Sequence, residues 1–287
     1  MSLPTEPLCL LTVHAHPDDE ASKGASTVAR YQDEGIRTIL VCCTGGEEGD
    51  ILNPAMDRPE VRERLPEVRR EELAAATKII GYDEVIMLGY RDSGMPDSEA
   101  NKRPEAFANA PLDESVGRLV AIIRRARPQV IVTYGDDQSR YPHPDHLMVH
   151  DISVVAFDRA GDGDWYPEHG EPYQPRKLYY SAWSMRRMKA MHEKMLELGM
   201  ESPFNDDWFN RPSQDDRVTT RVEISPWASV RRQALLAHAT QVDPTSKFWF
   251  GLPDDVSDSL HTHEDYIRAR SLVEAGVPED DLFAGLR

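Results

Sequence analysis

Cysteine is scarce in this sequence: Cys9, Cys42 and Cys43 among 287 residues. An odd count with an adjacent pair makes no disulfide framework, and it points to a reducing compartment, the cytoplasm. All three lie in apolar runs that read as buried strands, and nothing marks any of them as a nucleophile. Long apolar stretches are missing too. No run reaches ~18 residues, so no membrane span is expected. The segment leading to His16 has no basic region and only a short apolar run, unlike a secretory signal. Positive charge is also short, with 33 Lys and Arg against 50 Asp and Glu and a net charge of -17. Such a surface repels phosphate backbones and anionic lipid, which argues against nucleic acid and membranes as partners. Internal repeats and low-complexity tracts are absent.

What remains is a globular composition, 40% hydrophobic and 29% charged, in a chain long enough for one large domain or a main domain with a smaller one. Short β-rich runs at residues 7–14, 37–43, 84–88 and 129–134 alternate with helical patterns at 22–34, 59–80, 112–126 and 146–159. Strict alternation predicts an α/β fold, a Rossmann-like and mostly parallel sheet with helices on both faces. Residues 161–176 are rich in Gly, Pro and acids and read as a boundary. The expected division is a catalytic portion over residues 1–165 and a smaller C-terminal α/β portion over 166–287 that contributes to the substrate pocket. The latter holds strands at 177–183 and 218–224, helices at 185–198 and 227–239, a polar loop at 201–216, and an aromatic, acidic tail from 242 to 287 with no clear pattern.

In parallel sheets ligands bind beyond the carboxyl ends of the strands. The chemistry-bearing residues fall there. The first strand runs into His14, His16, Asp18, Asp19 and Glu20; the fourth is followed by Tyr141, His143, Asp145 and His146. A catalytic zinc typically takes three His or carboxylate ligands and leaves a position for water. His16, Asp19 and His146 form the favoured set, although spacing alone leaves His14 and His143 open. Asp18 then stands free as the general base. A single His-x-x-Asp is weak evidence, but two clusters at one sheet edge are much stronger, because burying so many carboxylates without a cation is costly. A dinucleotide-binding reading fails at the first turn, which lacks the glycines such a loop needs and places carboxylates where a pyrophosphate would sit.

His16-Pro17-Asp18-Asp19 together with His143-Pro144-Asp145-His146 resembles the LmbE-like (PIG-L) family of zinc N-deacetylases. Gly45, Gly46 and Glu47 after the second strand, Arg69 and Glu72 on the next helix, Arg91 to Met95 after the third strand, and His238 to Gln241 on a late helix fit the same pattern. The resemblance spans nearly the whole chain. It implies one zinc per chain on His16, Asp19 and His146, with iron(II) suited to the same ligands. It implies Asp18 as base and then acid, His143 as oxyanion stabiliser oriented by Asp145, and Tyr141 as a carbonyl-polarising group. It also implies Lys23, Arg69 and Glu47 on the substrate side, Arg69 toward an inositol. Lys23 and residues 50–56 resemble the branch that cleaves the cysteinyl–glucosamine amide of mycothiol S-conjugates. The alternative substrate is acetylated glucosaminyl-inositol. The expected partner is therefore a small-molecule thiol conjugate, bound by a monomer or small homo-oligomer. Taken on their own residues, Arg69 reads as an ion-paired helix face, His238 as structural, and His261, His263 and Glu264 as surface.

Overall fold

A computed structural model describes residues 7–287; residues 1–6 of the expected signal-free N-terminus lie outside the described residues. One seven-stranded sheet organises the chain, in the order β3-β2-β1-β4-β5-β7-β6. Its strands are β1 (Cys9–His14), β2 (Arg37–Thr44), β3 (Glu84–Tyr90), β4 (Val130–Thr133), β5 (Lys177–Ala182), β6 (Thr220–Glu223) and β7 (His263–Ser271). The first five pair in parallel, while β7 runs antiparallel to both β5 and β6. Fold class and strand positions therefore match the alternation in the sequence, except for β7. That strand, HEDYIRARS, carries too much charge to read as one. The strands of residues 166–287 complete the same sheet as those before residue 166.

Helices α1 (Asp19–Ser22), α2 (Ala25–Asp33), α3 (Pro59–Arg62), α4 (Leu65–Ile80), α5 (Leu112–Ala126), α6 (Pro144–Arg159), α7 (Met185–Glu197), α8 (Asp206–Phe209), α9 (Ala228–Ala237), α10 (Lys247–Phe250) and α11 (Asp254–Leu260) surround it. Alternation along β1 splits the core. Leu11 and Val13 face the layer holding Val116, Val120 and Ile152 of α5 and α6. Leu10 faces the layer holding Val28, Ala76 and Leu235 of α2, α4 and α9. The three cysteines are free and buried, Cys9 and Cys43 in the first layer and Cys42 beside Leu40 and Leu73. No helix among the described residues is long and apolar enough to cross a membrane.

The chain leaves β1 toward β2 on one side and reaches β4 on the other. The connections diverge there, which opens a crevice at the carboxyl ends of β1 and β4.

Candidate metal centre

His16 leaves the carboxyl end of β1, Asp19 opens α1, and His146 lies in the first turn of α6. Asp19 Oδ2 is 3.3 Å from His16 Nδ1 and 3.4 Å from His146 Nε2. The Asp19 carboxylate thus stands within reach of one imidazole from the β1–α1 turn and another from α6. All three residues are buried. Burial holds the His146 imidazole neutral, with its pKa lowered to about 4, which is the form a metal binds. Asp19 stays ionised well below the ordinary carboxylate range: burial opposes this, but Lys23 and His146 outweigh it.

The outer contacts orient these donors. His16 Nε2 faces Asp145 Oδ2 at 3.1 Å and Asp92 Oδ1 at 3.5 Å. Burial disfavours a charged His16, yet hydrogen bonds to Asp145, Asp19 and Asp92 hold its pKa well above normal. Asp145 is fixed in turn by the Ser93 N–H at 3.0 Å and by the Ser93 hydroxyl. With Nε2 so engaged, Nδ1 is the nitrogen left to face Asp19. His16, Asp92 and Asp145 could also group around an ion, as could His16, His143 and His146. The first of these sets spends His16 Nε2 on carboxylates that already accept from it. In the second, His143 Nδ1 already accepts the Asp145 N–H at 3.2 Å. Two imidazoles with a carboxylate between them, as His16, His146 and Asp19 supply, make a donor set suited to a divalent ion. His14 stands apart, buried edge-on to Tyr134 at 5.8 Å, and its ring nitrogens have no partner.

Asp18 sits beside this set in a strained backbone conformation, with φ 121°. Such strain is held only where the surroundings over-determine it. Glu20 Oε2 accepts the Asp18 N–H at 2.9 Å, and Arg69 grips the preceding carbonyl of Pro17 at 2.6 Å and Asp18 Oδ2 at 3.3 Å. Enclosure raises the Asp18 pKa to about 6, opposed by Arg69 and reinforced by Asp19. Tyr141 is half-exposed, its ring 5.4 Å from that of His146. His143 lies beside it at 5.9 Å, with Nδ1 accepting the Asp145 N–H. Glu47 is partly buried and accepts the Asp92 N–H at 3.0 Å, so it braces the rim.

Three expectations need correction. The Asp145 carboxylate bonds His16 rather than orienting His143, because the cap geometry gives His143 the main-chain N–H of Asp145 instead. Arg69 is neither an exposed helix face nor free to reach a ligand: it is 2% exposed and also donates to the Gly46 carbonyl. Gly46, at φ 68°, lies so close that a Cβ there would meet the guanidinium. His261 and Glu264 are buried, not surface, because β7 inserts between β5 and β6. Lys23 binds Asp19 Oδ1 at 2.5 Å. His238 forms a buried 2.6 Å pair with Glu20, tying α9 to the site in agreement with its structural reading. Asp92, Ser93 and Glu20 received no role from the sequence. The position of Asp92 and Ser93 just beyond β3, at the same sheet edge, was the available signal.

A model of the family described as "PIG-L: GlcNAc-PI de-N-acetylase" matches residues 11–157. A Streptomyces coelicolor protein named mycothiol S-conjugate amidase is 45% identical over 99% of both chains. A Streptomyces avermitilis protein named 1D-myo-inositol 2-acetamido-2-deoxy-alpha-D-glucopyranoside deacetylase is 39% identical over 96% of this chain and 97% of its own. Among solved structures, N,N'-diacetylchitobiose deacetylase from Pyrococcus horikoshii shares the fold, with TM-score 0.61 and 16% identity over 92% of this chain and 84% of that one.

Proposed function

Because the chain belongs to the GlcNAc-PI de-N-acetylase (PIG-L) family, we propose that it is a zinc-dependent amidase of mycothiol S-conjugates. It hydrolyses the cysteinyl–glucosamine amide and releases a mercapturic acid and glucosaminyl-inositol. The observation that carries this reading is the approach of His16 and His146 to the Asp19 carboxylate, with Asp18 beside them and braced by Arg69. Agreement is stronger with the amidase relative, at 45% identity, than with the deacetylase relative at 39%.

Bound to these three residues, zinc supplies Lewis acidity to the scissile carbonyl and to the attacking water, and iron(II) suits the same ligands. Asp18, ionised above about pH 6, takes the proton of that water and returns it to the departing glucosamine nitrogen. His143 and the Tyr141 hydroxyl flank the position where the carbonyl oxygen gains charge, and donors there act on charge that develops only in the transition state. Arg69 is a positioning residue: it holds the Pro17–Asp18 turn so that the carboxylate faces the ligand set. Three buried free thiols support a reducing, cytoplasmic location.

The test is a metal analysis of purified protein alongside relative turnover of a bimane-labelled mycothiol conjugate and of acetylated glucosaminyl-inositol. Faster cleavage of the conjugate is expected. Deacetylation faster by orders of magnitude would reassign the chain to the deacetylase reaction named for its 39% identical relatives.

A further inference from the structure

Beside Lys23, a cleft open to solvent lies between α7, α10 and the start of β7. Its walls are aromatic and sulfur-bearing: Trp183, Phe204, Phe248 and Trp249, with Met188 and Met191. The rings brace one another, Trp183 against Phe248 at 6.0 Å and Phe248 against Trp249 at 4.8 Å. Two guanidiniums line the same space, Arg187 from α7 and Arg231 from α9. Arg231 is 8% exposed, its Nε has no hydrogen-bond partner, and its guanidinium lies 5.1 Å from the Trp249 ring centre. Among the described residues neither guanidinium has a carboxylate within ion-pair distance.

Charge of one sign therefore gathers where apolar walls should exclude it. Burial leaves both arginines less basic than usual, reinforced at Arg231 by Arg187 and opposed by Glu264 and, at Arg187, by Asp265. Glu264 and Asp265 face them from β7 but are engaged elsewhere. Glu264 Oε2 accepts the Thr27 N–H at 2.9 Å, and Asp265 pairs with Arg221 at 3.0 Å. His261, next to this group, is held neutral by burial and by the two arginines. Arg187 and Arg231 thus face Glu264, which is held by Thr27, and Asp265, which is already paired with Arg221, and incompletely compensated buried charge is expensive.

We propose that this cavity takes the thiol substituent of the substrate and selects aromatic or apolar substituents that carry an anionic group. The inference rests on the amidase reading above. Lys23 joins the two regions: its ammonium binds the ligand carboxylate Asp19 while its side chain lines the cavity. A substrate whose amide lies at the ligand set extends its acyl arm past Lys23 into the aromatic walls. The opposite, glucosaminyl-inositol arm is a polyol with no negative charge and offers the guanidiniums nothing to pair with. Aromatic walls contribute through burial and ring contacts, and the arginines through charge-assisted hydrogen bonds.

Calorimetric titration of the metal-loaded protein with naphthalene-2-sulfonate, a poor metal ligand, and with uncharged methyl 2-naphthyl sulfone tests the cavity directly. The anion is expected to bind about tenfold tighter, equivalent to one charge-assisted contact. In Arg187→Gln, on a half-buried helix face, that preference falls toward one. Equal affinities in the unmodified protein, or no binding of either probe, would overturn the proposal without recourse to any variant. A second arm compares kcat/KM for S-(4-carboxybenzyl) and S-benzyl mycothiol. Preference for the charged conjugate, narrowed by Arg187→Gln, is expected, and no preference removes the substituent from this cavity. A protein that favours the sulfonate yet cleaves neither conjugate would keep the anion pocket and lose the amidase reading.

Discussion

Two clusters of buried charge differ in one respect. At the edge of β5 and β6, Glu279 accepts from Lys177 at 2.7 Å, Tyr179 at 2.7 Å, Thr220 at 2.8 Å and Arg268 at 2.8 Å. Every charge there meets its partner within the chain. At the carboxyl ends of β1 and β4, Asp18, Asp19, Asp92 and Asp145 crowd around His16 and His146, and four carboxylates are answered by Lys23, Arg69 and a His16 made more basic by its acidic neighbours. A cluster whose charges are all paired within the chain stabilises a fold. A cluster short of positive charge is a receptor for a cation, because burial without one is unfavourable. The contrast separates fully paired charge from carboxylates in excess without reference to motifs.

The largest effect should fall on the second cluster. His146→Ala removes a ligand, so bound metal and amide hydrolysis should disappear together while the melting profile shows a folded protein; full activity at full metal content would erase the distinction. Asp18→Asn should keep the metal yet lower kcat by about 10²–10⁴, the usual contribution of a positioned base. Retention of near-normal rates by that variant would remove Asp18 from the mechanism. Glu279→Gln addresses the first cluster. It strands Lys177, 0% exposed, and should destabilise the protein by about 3–5 kcal/mol in chemical denaturation, with metal content unchanged. Burial raises the Glu279 pKa, but hydrogen bonds from Lys177, Tyr179 and Thr220 pull it lower overall. Its stabilisation is therefore present above the ordinary carboxylate range and fades as pH falls through the lowered value, so variant and parent should converge in acid. The smallest effect is expected from Arg69→Met, which loosens the Asp18 turn and should cost kcat up to about a hundredfold at intact metal stoichiometry.

Most of the parallel sheet was legible because its strands are apolar runs bounded by turn residues, and the ligand edge follows from strand order alone. The meeting of the two motif clusters, His16 and Asp19 with His146, was legible because both fall at that edge. β7 was not. Glu264 and Asp265 are buried by pairing with Thr27 and Arg221 from elsewhere in the fold, and no local pattern announces such partners. The same holds for the Glu20–His238 pair, 218 residues apart, and for Arg69, whose run of helical charge hides a side chain turned inward onto Pro17 and Gly46. Long-range polar pairing is what sequence periodicity cannot carry.

The central claim is most directly tested by metal content and anomalous scattering on the unmodified protein and on Asp19→Ala. The account predicts one divalent ion per chain between His16, Asp19 and His146, absent from the variant while the fold persists. An active, metal-free protein, or an ion bound away from those three side chains, would contradict it.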